Sequence, residues 1–321
     1  FCMGLAEYCI TGIPVKTFTA MRYKVGIMMC FLLFGLEACM DEKCDCLPEE
    51  GIAFMMKDVA YLFEGNEAIG YRPYYTLTDR LDILAFQNSQ RDTTFSFDYA
   101  YCKEHPVIPI KLTPGKYQFL FVANLLDEKA MSWKSTSGEG LTATFRILEN
   151  REPAVYLAAI RTADLWTTSQ LPVQLRMLVS RLEMKVVNPP EWITGLEFRV
   201  EHIAGKIIIE EAVSTENFQL GEELQDTTFV YKSEKLNYAG PGEYWMGMNT
   251  FPTYENFPAL VDIKLKGENR LNQLVIDDRR LSFRSGRITR VSLEFTTENT
   301  VSVSVEINGK WEVIDEGEIE I

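Results

Sequence analysis

Two histidines, His105 and His202, limit the chemistry open to this chain of 321 residues. A Ser/His/Asp triad needs an imidazole between nucleophile and carboxylate, and two imidazoles leave few combinations. The sequence has no Gly-x-Ser-x-Gly, no His-Glu-x-x-His and no glycine loop of the phosphate-cradling kind. Carboxylates occur in adjacent pairs, at Glu49/Glu50, Glu210/Glu211 and Asp277/Asp278. Neighbours on a strand point to opposite faces, so these pairs read as solvated charge, not as an acid and its base. A glycosidase pair would have to come from distant segments. Cys44-Asp45-Cys46 offers two thiolates, but a closed zinc site takes about four ligands. These residues point to no enzyme, no metal and no cofactor.

Sulfur carries the clearest message. Of seven cysteines, four follow position 38: Cys39, Cys44, Cys46 and Cys102. Met21 precedes the cations Arg22 and Lys24, an apolar run from Val25 to Leu36, and then Leu36-Glu37-Ala38-Cys39. A basic start, a short apolar stretch and a small residue before a cleavage point make a secretory signal peptide over 21–38. The run is shorter than the ~20 residues a spanning helix needs. A cysteine directly after the small residue resembles a bacterial lipoprotein signal, although Glu37 stands where such signals carry a small or apolar residue. The resemblance implies that Cys39 becomes the lipidated N-terminus. Each buried CH₂ of an acyl chain such as palmitate then contributes ~0.8 kcal/mol of membrane affinity. Residues 1–20 read as an upstream extension outside the native protein. Export to an oxidising compartment allows one disulfide, expected to join Cys102 to Cys44 or Cys46.

The formal net charge of −14 argues against nucleic acid, which needs a basic partner surface. Residues 39–51 are polar, acidic and proline-bearing, and read as a flexible tether. Beyond it, alternating apolar segments predict strands. Leu81/Ile83/Ala85, Phe95/Phe97/Tyr99, Ile108 to Leu112, Tyr117 to Val122 and Leu141/Ala143/Phe145/Ile147 make the first set. Thr113-Pro114-Gly115-Lys116 reads as a type II turn with Gly115 at positive φ. Between Pro153 and Gln170 the pattern changes, predicting a short helix or an irregular connection and a domain boundary. The second set is Leu182/Met184/Val186 stopped by Asn188-Pro189-Pro190, then Leu196/Phe198/Val200, Ile207 to Ile209, Val261/Ile263/Leu265 and Val291/Leu293/Phe295. A final hairpin turns at Asn308-Gly309. The expectation is an all-β protein of two β-sandwiches, 52–165 and 170–321.

Two loops combine rings with turn formers, around Tyr74 and Tyr75 and around Tyr244 and Trp245. Exposed rings there would contact a sugar or a partner protein; buried ones would plug the sandwich ends.

Several elements together resemble the fimbrillin-A associated anchor lipoproteins of Bacteroidetes type V pili. They are the lipoprotein-like cysteine, the acidic Met40-Asp41-Glu42, and Leu112-Thr113-Pro114-Gly115-Lys116-Tyr117-Gln118-Phe119 followed by Val122-Ala123-Asn124-Leu125. Val173-Gln174-Leu175 with Arg181-Leu182-Glu183-Met184-Lys185-Val186 completes the set. The resemblance implies two transthyretin-like, Greek-key β-sandwiches without enzymatic activity, lipid-held in the outer membrane and exposed at the cell surface. It implies other fimbrial subunits as partners, joined by strand complementation. Trp311 to Ile321 is a candidate edge element. The alternative is a surface glycan-binding lipoprotein using Trp133, Tyr244 and Trp245; a secreted hydrolase ranks third.

Overall fold

The computed structural model describes residues 51–61, 70–136, 140–148, 152–210, 219–220, 224–225, 229–233, 242–254, 258–267, 271–277, 281–296, 300–307 and 310–318. The signal segment and Cys39, Cys44 and Cys46 lie outside them. The chain runs through β1 (Ile52–Lys57), β2 (Val59–Tyr61), β3 (Gly70–Arg72), β4 (Arg80–Gln87) and β5 (Gln90–Asp98). A short helix, α1 (Tyr99–Glu104), leads to β6 (Val107–Ile110), β7 (Lys116–Ala123), β8 (Met131–Thr136), β9 (Gly140–Arg146) and β10 (Leu157–Asp164). Next come β11 (Gln170–Gln174), β12 (Arg176–Met177), β13 (Ser180–Val187), β14 (Gly195–Glu201), β15 (Ile203–Ala204) and β16 (Lys206–Glu210). They are followed by β17 (Gln219–Leu220), β18 (Leu224–Gln225), β19 (Phe229–Ser233) and β20 (Glu243–Thr250). The last strands are β21 (Leu260–Lys266), β22 (Leu271–Asp277), β23 (Ile288–Phe295), β24 (Thr300–Ile307) and β25 (Lys310–Glu318). The all-β expectation holds.

The first half is built in three layers. The middle one is the sheet β12-β10-β7-β4-β5. Its odd-numbered face on β7 meets the sheet β11-β1-β6: Phe54 of β1 packs edge-to-face on Phe119 and Phe121, each at 4.9 Å between centroids. The opposite face meets β17-β16-β9-β8, where Trp133 packs on Phe86 and Ser135 Oγ donates to Gln118 Oε1. A strand covered on both faces needs apolar residues at every position. Leu81 to Phe86, Phe119 to Ala123 and Leu157 to Ile160 are buried without a break, the one carboxylate among them, Asp82, accepting from Arg80 Nε and Ser96 Oγ.

That burial explains one misreading. Leu157 to Ile160 form neither helix nor irregular connection. They belong to β10, paired along its whole length with β7. Tyr99 likewise leaves the Phe95/Phe97 strand face, because the Asp98 side chain accepts from the Tyr101 N–H at 2.8 Å and opens α1. Gly115 does not take positive φ. What it supplies is room: a Cβ there would stand 2.4 Å from Gln87 Nε2. Past the middle of the chain, β11 pairs in parallel with β1, and β16 pairs with β9.

The second half is dominated by the sheets β20-β13-β23-β24-β25 and β19-β14-β21-β22. Strand β13 is half-buried in strict alternation: Leu182, Met184 and Val186 face inward while Arg181, Glu183 and Lys185 face out. Asn188 at φ +50 ends it before Pro189. In the terminal hairpin Ile307 pairs with Lys310, and the register slips by one residue between Val303 and Ser304. The turn residues Asn308 and Gly309 lie outside the described residues.

Candidate functional site

The outer face of the β20-β13-β23-β24 part of the larger sheet carries a connected set of charged side chains beside an exposed ring. Register brings Gly247, Glu183 and Arg290 into one row across β20, β13 and β23. The next row holds Trp245, Lys185, Ser292 and Ser304. On the other side of the first row Asn249 stands opposite Arg181.

Glu183 ties the two arginines together. Its Oε1 accepts from Arg181 Nε at 3.1 Å and its Oε2 from Arg290 Nε at 3.0 Å. Arg290 also donates through Nη1 to Glu306 Oε2 at 3.0 Å, and Arg181 Nη1 to Asn249 Oδ1 at 3.3 Å. Burial of Arg290 opposes its charge, but the bonds to Glu183 and Glu306 outweigh that and raise its pKa. Lys185 pairs with Glu243 at 2.7 Å and sets its ammonium 5.8 Å from the centre of the Trp245 ring. Trp245 is 51 % exposed. Arg181, Glu183, Trp245, Met246, Gly247 and Arg290 line an open recess of about 320 Å³. The arrangement is one of recognition: planar donors and acceptors held rigidly beside an exposed ring.

The other residues singled out in the sequence divide. Tyr74 is 3 % exposed, and its hydroxyl lies 3.0 Å and 3.1 Å from the carbonyl oxygens of Cys102 and His105. It is a core residue that pins α1, not an exposed contact. Tyr75 and Tyr244 are half-buried against the core. Trp133 lies edge-on to Phe86 beneath the Arg91 guanidinium. Cys102 is fully buried, and burial raises the pKa of its thiol; Cys44 and Cys46, its expected disulfide partners, lie outside the described residues. His105 stacks on Tyr101 with its Nδ1 2.9 Å from the Tyr101 carbonyl oxygen. His202 sits at φ +63 just after β14. Among the described residues no three metal-binding side chains gather, and no helix is long and apolar enough to cross a membrane.

Sequence reasoning missed Arg181, Glu183 and Arg290 as a group, since each is an ordinary outward charge until register aligns the strands. It named Asn124 within the resembling segment but not its contacts. This residue, 6 % exposed at φ +64, donates through Nδ2 to the carbonyls of Leu77 and Val155, both at 2.8 Å, and accepts from the Asp79 N–H at 2.7 Å.

The sheet edges differ in how they are guarded. β6 and β11 each carry a proline, Pro109 and Pro172. β25 carries four acidic residues and the register slip. The edge of β20 is met by the 152–153 connector, with Asn249 bonded to Glu152 and to the Pro153 carbonyl. β22, Leu-Asn-Gln-Leu-Val-Ile-Asp, has no proline, lysine or arginine, and among the described residues it pairs with β21 alone.

A family model described as fimbrillin-A associated anchor proteins Mfa1 and Mfa2 matches residues 70–317. Among solved structures, a candidate polysaccharide-binding protein from Bacteroides thetaiotaomicron VPI-5482 superposes with a TM-score of 0.54 at 13% identity, over 83% of this chain and 99% of that one. A candidate adhesin from Bacteroides ovatus gives 0.51 at 12% identity, over 86% and 98%. The fimbrial anchor protein Mfa2 from Porphyromonas gingivalis gives 0.43 at 13% identity, over 82% and 98%. The first two likenesses show a shared fold. No curated protein sequence matches the chain.

Proposed function

The chain belongs to the family of fimbrillin-A associated anchor proteins, and from that membership we propose that it is a surface lipoprotein serving as anchor or minor subunit of a fimbrium. Cys39 carries the lipid, 39–51 is the tether to the outer membrane, and the β-sandwich modules 52–165 and 170–321 stand outside the cell. The β11–β1, β12–β10 and β16–β9 pairings couple them. The partner is another fimbrial subunit, joined by strand complementation.

The observation that carries this reading is the edge at β22. Among the described residues this strand of seven leaves one row of backbone donors and acceptors without a neighbouring strand, and an incoming strand would gain its affinity from them. Val275, 46 % exposed, and Gln273, also exposed, would give the incoming strand its register. The edges at β6, β11, β20 and β25 carry deterrents to such pairing.

Deletion tests the role. Cells without the protein shed or misplace fimbriae, and fimbriae that stay attached at normal length defeat the proposal. The double substitution Gln273→Lys, Val275→Lys tests the edge, because lysines deter strand addition while leaving the buried face intact. Fimbrial attachment is lost in that variant; normal attachment assigns assembly to another edge. Cys39→Ser tests the lipid: the protein moves from the membrane fraction to the soluble fraction.

A further inference from the structure

We propose that the Trp245 face of the larger sheet is a binding site for a neutral saccharide chain, separate from the β22 edge. The inference rests on three features. Trp245 presents a ring that is half in solvent, and a ring is the side chain that best covers the apolar face of a pyranose. Lys185 orients that ring by lying over it and is itself held by Glu243. Next to the ring, Arg181, Glu183 and Arg290 hold fixed orientations through mutual bonds, so planar hydrogen-bonding groups meet a ligand without first being ordered.

Charge decides for a neutral ligand. Each cation of the face has a carboxylate: Arg181 has Glu183, Arg290 has Glu183 and Glu306, and Lys185 has Glu243. Among the described residues of this face every cation is thus compensated, leaving none to hold an acidic polymer, and the whole chain is strongly negative. Composition decides against a protein partner. A stable protein interface is built around an apolar centre, whereas this recess holds one exposed ring among charged groups.

Gly247 makes the geometry possible. A Cβ at that position would stand 2.5 Å from Arg181 Nη2, so the guanidinium occupies the space the glycine leaves.

The test is native affinity electrophoresis of the purified full chain through gels holding dextran, mannan, galactan or xylan, and in parallel hyaluronan as an acidic polymer. At least one neutral polymer retards the protein. Trp245→Ala weakens that retardation by roughly tenfold or more, as does Gly247→Val, while Trp166→Ala, which removes a ring 72 % exposed elsewhere, leaves it unchanged. Circular dichroism confirms that each variant is folded. Retardation by no polymer, retardation by hyaluronan alone, or retardation that survives Trp245→Ala overturns the site. None of these outcomes bears on fimbrial attachment, which is read on whole cells.

Discussion

The guanidinium of Arg181 rests on Gly247 of the neighbouring strand, with Nη2 2.5 Å from where a β-carbon would be. Two cross-strand positions thus share the space of one side chain. Gly247→Val swings Arg181 away and breaks its bonds to Glu183 and Asn249. The groups are partly exposed, so the loss is about 0.5–1 kcal/mol. The double variant Gly247→Val, Arg181→Ala costs less than the sum of the two singles, since the clash is gone. Urea midpoints of the four proteins check this.

Asn124 is more consequential. Asn124→Ala leaves two carbonyls and one N–H buried without their partners and puts alanine at φ +64. At about 1 kcal/mol or more for each stranded group, the expected loss is ~3 kcal/mol. Asn124→Asp is no milder, because its carboxylate would face the Leu77 and Val155 carbonyls without an N–H to offer. Chemical denaturation of both variants measures the effect.

Gly51, just before β1, sits at φ +129, and a Cβ there would lie 2.0 Å from the Ile110 carbonyl oxygen. Gly51→Ala detaches the start of β1 from β6 and destabilises the fold by about 3 kcal/mol. Phe54→Ala, which empties the space between Phe119 and Phe121, costs about 3–5 kcal/mol. Faster amide exchange confined to β1, β6 and β11 marks the first variant; a lower global midpoint marks the second.

Stability falls in alkali. Burial pushes the Cys102 thiol above its ordinary 9.0 and the phenols of Tyr74 and Tyr156 above their ordinary 10.0. Above pH 9 the unfolded chain gives up protons that the folded chain retains, so the slope of unfolding free energy against pH is negative. The contribution is complete below pH 9 and is lost as pH rises, first through the thiol and then through the phenols. Cys102→Ala lowers stability at pH 7 but flattens the decline between about pH 9 and 10. Denaturant midpoints across that range show the difference.

How much of this could be read from the sequence depended on how many faces of a strand are covered. β13 and the terminal hairpin have one wet face, and Leu182/Met184/Val186 and the Asn308-Gly309 turn announced them. β10 is covered on both faces, so Leu157 to Ile160 carried no period, and a run of that length fits a helix equally well. Gly115 was read for handedness, while its structural reason is the approach of Gln87 from another strand. The exposed ring at Trp245 was legible as a candidate. The arginines beside it were not, because Glu183 and Arg290 are far apart in sequence and meet only through the parallel pairing of β13 with β23. The contacts of Asn124 stayed hidden for the same reason, its partners lying on segments around residues 77–79 and 155.

The position of β1 has a mechanical consequence. It is the middle strand of its sheet, parallel to β11 on one side and antiparallel to β6 on the other, and Phe54 keys it into the layer beneath. Traction applied along its axis is shared by every rung on both flanks at once, and the strand must slide as a unit before any rung is free. A peripheral strand would instead unzip rung by rung. Tension along β1 is therefore resisted by shear.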